Sequence, residues 1–396
     1  MIAPTASRPQ LSTAFFGFVL IGIVSGAWGI LLPSVSAYYK VNESVIGLLF
    51  IASAIGYLLS ALSTGLLIAK LGQREYLLTG TAMFMLCCLL VTLKPAFVLV
   101  LFIRLFQGMS IAIIEAGLNM FITTLPNNTA LLNYLHAFYG AGALIGPLVA
   151  STILALSFGW NIAFLAWILL ALPLLIGLLT LFHRSSPSTA HEEQTERNNN
   201  GLRTALKIPR VWLATLFLLF YVGVEVSLGN WGYTFLLQNR HENGLLAGWI
   251  ISGYWLGLTL GRFILNNIAE RLRLGLSGLM YTCMVGIILG ILLLWLIPGI
   301  VACAISFFLI GTSLGPIYPS TVALLPNIVP SRLLSSAMGF LIGLSIIGLA
   351  LFPWLAGILA QYTGIWSLLP YTVGLTLVML VLWWTMRIRR QQFSAN

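Results

Sequence analysis

Apolar runs follow one another along almost the whole chain, separated by short polar breaks. They fall at about 12–37, 44–69, 75–93, 96–124, 131–157 and 161–182. After a longer polar stretch they resume at about 211–237, 244–268, 276–297, 299–325, 333–360 and 365–386. A hydrocarbon core of about 30 Å takes about 20 apolar residues in a helix, and a helix satisfies its own backbone hydrogen bonds in lipid. Each run therefore predicts one membrane-spanning helix, twelve in all. The first run is long and poorly charged at its start, so it predicts a span rather than a cleaved leader. The polar stretch "HRSSPSTAHEEQTERNNNGLRTALKIPR" (183–210) has the composition of a flexible linker with a partly amphipathic end. It predicts an N-terminal six-helix bundle at 1–182, a cytoplasmic linker at 183–210 and a C-terminal six-helix bundle at 211–396.

The two halves repeat. "GAWG" (26–29) returns as "GNWG" (229–232), placing Trp28 and Trp231 203 positions apart. Gly108 and Gly311 are also 203 apart, Gly56 and Gly257 are 201 apart, and "TLPNN" (124–128) and "LLPNI" (324–328) are 200 apart. Four matches at a nearly constant offset indicate an internal duplication. The expectation is an all-α membrane protein whose two bundles are related by a pseudo-twofold axis along the membrane normal. Parallel repeats of this kind place a substrate site between the halves near the bilayer midplane. The two tryptophans are then expected on symmetry-related first helices, lining that site.

Charge refines the picture. Only 7% of the 396 residues are charged, against about 25% in soluble domains. Basic residues outnumber acidic ones 19 to 9, and all nine acids are glutamates. With both ends placed in the cytoplasm, fourteen lysines and arginines fall in inside segments and three (Lys40, Lys94 and Arg240) in outside loops. That asymmetry sets the orientation, and the positive balance calls for no nucleic-acid partner. The expected location is a plasma membrane, in a bacterium its inner membrane. The four cysteines sit inside apolar runs at no metal-binding spacing and read as packing residues.

Short motifs carry a resemblance. "GLLIAKLGQR" (65–74) resembles the loop signature of the major facilitator superfamily, with Gly65, Lys70, Gly72 and Arg74 matching. It departs at Ala69, where the family has an acid, and at Gln73. "NIAERLR" (267–273) puts Glu270 and Arg271 in the corresponding slot of the second half. "RLFQG" (104–108) and "GALIGP" (142–147) are similar to the superfamily's motifs in helices 4 and 5. A narrower likeness covers "IEAGLNMF" (114–121) and "NYLHAFYGAG" (133–142), which resemble the fucose–proton symporter family; there Glu115, Asn119, Asn133, His136 and Phe138 fit position by position. "YVGVEVSLGNW" (221–231), "GLTLGRF" (257–263) and "GPIYPS" (315–320) are similar to other branches of that family. Gly29 stands where sugar–proton members can carry an aspartate. The resemblance implies alternating access, with Gly65, Lys70, Gly72, Arg74, Glu270 and Arg271 in conformational gating.

Independently of any family, Arg104, Glu115, His136, Glu225 and Arg262 lie within spans. A charge near the bilayer centre costs roughly 2.5–3.5 kcal/mol on insertion scales, so such residues face a cavity or one another. Arg104, Gln107, Glu115 and Asn119 share one helical stripe, as do Asn133, His136 and Gly140. Arg104 is expected to tie helix carbonyls or Glu115 together, and Arg262 to snorkel or to pair with Glu225. A carboxylate in a cavity of reduced dielectric can exchange a proton near neutral pH. Glu115 and Glu225, with Arg104 and Arg262 beside them, are the expected proton-coupling residues. Trp28, Asn119, Asn133, His136, Asn230, Trp231, Tyr254 and Tyr318 are the expected substrate ligands; amides, imidazole and indoles suit a polyhydroxylated ring. The leading expectation is a monomeric proton-coupled symporter of a sugar or similar small polar solute, with no cofactor or metal beyond the proton. The alternative is a proton-driven exporter of drugs or metabolites, to which "GALIGP" points. No nucleophile–base pair, metal-ligand cluster or phosphate-cradling loop supports a membrane enzyme.

Overall fold

The computed structural model describes residues 7–183 and 202–393, with side chains to residue 386. Among them are twelve helices long and apolar enough to cross a membrane: α1 (Arg8–Tyr39), α2 (Glu43–Leu71), α3 (Gln73–Thr92), α4 (Phe97–Thr123), α5 (Asn128–Ala155), α6 (Ile162–Leu181), α7 (Pro209–Gln238), α8 (Gly244–Arg271), α9 (Gly275–Leu296), α10 (Ile300–Asn327), α11 (Ser331–Thr363) and α12 (Ile365–Met386). Each apolar run coincides with one helix to within a few residues. The differences lie in polar end turns, which hydropathy does not register. At the start of α1 the Ser7 side chain accepts from the Gln10 backbone N–H at 3.4 Å, and the Gln10 side chain accepts from the Ser7 N–H at 2.9 Å. This reciprocal cap carries the helix back to Arg8. Of the expected linker, residues 184–201 lie outside the described residues, 202–205 form one helical turn, and Pro209 opens α7.

The chain divides into two compact units, Met1–Glu192 and Glu193–Asn396. Within the first, α1 packs on α5 and α6, α2 on α4, and α3 on α4 and α6. The second repeats this pairing: α7 packs on α11 and α12, α8 on α10, and α9 on α10 and α12. The duplication read from residue offsets is thus also a duplication of helix contacts.

The repeated glycines explain the shared crossing. A Cβ on Gly56 would run into the Leu105 carbonyl of α4, and one on Gly108 into the Ser53 carbonyl of α2. Their counterparts behave alike: Gly257 abuts the Phe308 carbonyl and Gly311 the Tyr254 carbonyl. Only a hydrogen side chain permits backbones to approach so closely. Gly142 and Gly146 of "GALIGP" lie against the Val19 and Ile23 carbonyls of α1, while Gly22 and Gly26 face α5 in return. These glycines serve packing. In the second unit the α10 helix breaks at Gly315–Pro316 and resumes at Ile317. Proline cannot donate to the helical ladder, and Gly315 rests on the α8 backbone from Leu258 to Arg262.

Candidate functional site

In the first unit the charged stripe of α4 separates into two environments. Glu115 is half-buried and accepts a hydrogen bond from the Tyr57 hydroxyl of α2 at 3.1 Å. Asn119, one turn further on, is also half-buried, and Asn133 on α5 is exposed; neither amide has a partner among the described residues. His136 is exposed, standing edge-on to Phe18 at 5.5 Å between ring centroids. Phe138 stacks on Phe15 at 4.9 Å.

Arg104 stands apart. Eleven residues separate it from Glu115, about 16 Å along a helix, and no acid bonds it. It is 7% exposed; Nη1 donates to Gln107 Oε1 at 2.8 Å, and Gln107 in turn donates to Cys88 Sγ at 3.4 Å. The guanidinium carbon lies 4.0 Å from the centre of the Trp28 ring, a cation–π contact that grows stronger away from water. The expectation that Arg104 ties Glu115 in place is therefore corrected.

Trp28 is 3% exposed, boxed in by Arg104, Phe164 at 5.5 Å and Trp167 at 6.2 Å. Trp231 is 1% exposed and donates from Nε1 to the Pro353 carbonyl of α11 at 2.7 Å. Both rings are interior fixtures, and neither offers a free face to a ligand here.

In the second unit the polar groups converge. Glu225 on α7 is half-buried, with Tyr221 one turn earlier on the same helix and the Arg262 charge of α8 in its electrostatic surroundings. Tyr254, fully buried on α8, donates to the Glu225 backbone carbonyl at 2.8 Å. Tyr318, just past the α10 break, brings its ring to 6.2 Å from that of Tyr221. Asn230 bonds back to the Val226 carbonyl of its own helix at 2.9 Å.

The loop motif has a local role. Gly72 takes φ 81°, a conformation that favours glycine, and ends α2. Arg74 then reaches the end of α6, donating to the Leu178 and Leu179 carbonyls at 3.2 and 3.0 Å and meeting Glu75 at 3.2 Å. A cation at a helix C-terminus complements its dipole. Gln73, the departure from the motif, donates to the Gly117 carbonyl of α4 at 3.1 Å. Gly65, Lys70, Glu270 and Arg271 are exposed.

Residues 14–246 and 226–393 match the model of the Major Facilitator Superfamily, which between them take in nearly the whole chain. The chain belongs to this superfamily. It is a secondary transporter embedded in a membrane and not an enzyme. Among its relatives, "Bypass of stop codon protein 6" of Saccharomyces cerevisiae is 25% identical over 95% of this chain and 82% of that protein. The glucose/mannose transporter GlcP of Bacillus subtilis is 23% identical over 92% of this chain and 90% of its own length. The crystal structure of the nucleoside transporter NupG has the same fold, with a TM-score of 0.78 over 96% of this transporter and 99% of that chain at 15% identity.

Sequence reasoning did not single out Tyr57 and Tyr221. Tyr221 lies one turn before Glu225, a visible signal. Tyr57 follows Gly56 directly, so the repeat that marked the α2–α4 crossing also marked the place from which a side chain reaches α4.

Proposed function

We propose that this transporter couples the entry of a sugar or similar small polar solute to a proton by alternating access, as its resemblance to the fucose–proton symporter family implies. The observation that carries this reading is Glu115: a carboxylate inside a span, held among the described residues by one phenol and by no cation. Such a group can take up a proton without breaking an ion pair, and it loses an unfavourable buried charge when it does so. Glu225 differs, because the Arg262 charge lies in its electrostatic surroundings. The unpartnered amides of Asn119 and Asn133, with exposed His136, supply donors and acceptors for hydroxyl groups. The glucose/mannose activity named for one relative supports that choice of solute. Both termini are placed in the cytoplasm of a bacterial cell, and the working unit is a monomer with no cofactor. The exporter reading rested on "GALIGP", whose glycines are occupied in packing α5 on α1.

Reconstitution into proteoliposomes under an imposed pH gradient tests this, with labelled glucose, mannose, fucose and small organic acids as the panel. A sugar is expected to accumulate only when the gradient is inward and acidic outside. Glu115→Gln is expected to abolish accumulation while leaving exchange of labelled for unlabelled sugar. Accumulation that survives Glu115→Gln moves the proton site to Glu225.

A further inference from the structure

The carboxylate on α4 is completed by a residue from a different helix. Tyr57 Oη stands 3.1 Å from Glu115 Oε2, and among the described residues it is the one hydrogen-bonding side chain on that carboxylate. The contact is built into the fold: Gly56 presses α2 on the backbone of α4 at Leu105 and Met109, and Gly108 presses back on Ser53. Side chains on a helix lean toward its N-terminus, so the Glu115 carboxylate leans back toward that crossing, where Tyr57 waits. We propose that Tyr57 is the positioning residue of the proton site, a neutral donor that holds the ionised Glu115 carboxylate and yields when the carboxyl becomes the donor.

The proposal rests on Glu115 carrying the coupling proton. Its chemistry is simple exchange: one proton moves from water to a Glu115 oxygen and back, and no other bond is made or broken. A phenol is both donor and acceptor, so it serves the ionised carboxylate as donor and the protonated one as acceptor. A cation in its place would favour the ionised form alone. Glu225 is closer to that case, with the Arg262 charge acting on it. Among the described residues, the other elements packed against α4 bring no second hydrogen bond to the Glu115 carboxylate. On α3, Tyr76 is taken up by Thr64 at 2.9 Å and Cys88 by Gln107. On α5, His136 stands against Phe18. On α4 itself, Arg104 is stacked on Trp28. Tyr57 is the ionisable group that acts on Glu115.

Infrared difference titration of the purified transporter in lipid vesicles reads this without any substrate. The protonated-carboxyl C=O band that disappears in Glu115→Gln reports the site. In Tyr57→Phe the ionised form loses its donor, so the band is expected to persist to higher pH, by about one pH unit, and to move to higher frequency. Tyr57→Gln retains a donor and is expected to titrate between the two; it also stands in if the Phe variant folds poorly. A band that titrates at the wild-type pH in both variants overturns the proposal. The two readings fail separately. If Glu115→Gln still accumulates sugar, the proton-coupling assignment falls; if it does not, yet the Tyr57 variants titrate as wild type, only the role of Tyr57 falls.

Discussion

The twin tryptophans show how one tetrapeptide takes two environments. Trp231 spends its N–H on the Pro353 carbonyl, whereas Trp28 Nε1 has no acceptor and its ring carries Arg104 instead. The duplication supplies the reason. The position of Arg104 is occupied in the second half by Phe307, 203 residues on, which can offer no cation. Replacing each indole by phenylalanine separates the two roles. Trp231→Phe is expected to lose the hydrogen bond, about 0.5–1.5 kcal/mol, in addition to the volume change common to both variants. Trp28→Phe loses volume and leaves Arg104 a weaker ring face, but it loses no hydrogen bond. Thermal unfolding in one detergent measures both, and a Trp231→Phe variant as stable as wild type would show that the Pro353 bond contributes nothing. The tetrapeptides themselves were legible; their burial was not, because spacing along one helix does not say which neighbour closes over a ring. The same limit applied to Arg104 and Glu115, which share a stripe but lie three turns apart with different partners.

At the level of the helix, apolar length was enough to place all twelve elements, since lipid leaves the backbone no alternative to an internally bonded helix. What length does not encode is a break without a polar residue, such as Gly315–Pro316 in α10, or a capping turn made of polar ones, such as Ser7–Gln10. The crossings were half legible. Glycines at constant offsets marked α2–α4 and α8–α10 as equivalent, yet only the structure shows each glycine facing a carbonyl of the opposite helix. Alanine substitution tests whether those approaches are required. Gly108→Ala and Gly311→Ala each drive a Cβ into backbone that cannot rotate away, and both are expected to lower the unfolding temperature and the yield of folded protein. Gly339→Ala, inside α11 with open space around its Cα, is the control. It is expected to match or exceed wild type, because alanine is the better helix former by about 1 kcal/mol. Equal tolerance at all three positions would mean that the α2–α4 and α8–α10 crossings are loose.

For the whole molecule, the duplication was readable from offsets and returns as the repeated pairing of helices within each unit. Which face of the membrane each end meets is a different kind of information. It resides in the distribution of lysine and arginine, not in packing, because the same bundle inserted either way up has the same internal contacts. In the proposed orientation, with both ends in the cytoplasm, the bias of fourteen to three has the α2–α3 and α8–α9 loops inside and the α1–α2 and α7–α8 loops outside. Cysteine labelling tests that placement cleanly, since all four native cysteines are buried and give little background. Lys40→Cys and Asn239→Cys, both at exposed positions, are expected to react with a membrane-impermeant maleimide on intact cells. Lys70→Cys and Arg271→Cys, equally exposed, are expected to react only after the cells are opened. Two sites on each side guard against one reactive loop misleading the assay. The reversed pattern would put Gly72 and Arg74 on the outer face and overturn the proposed orientation.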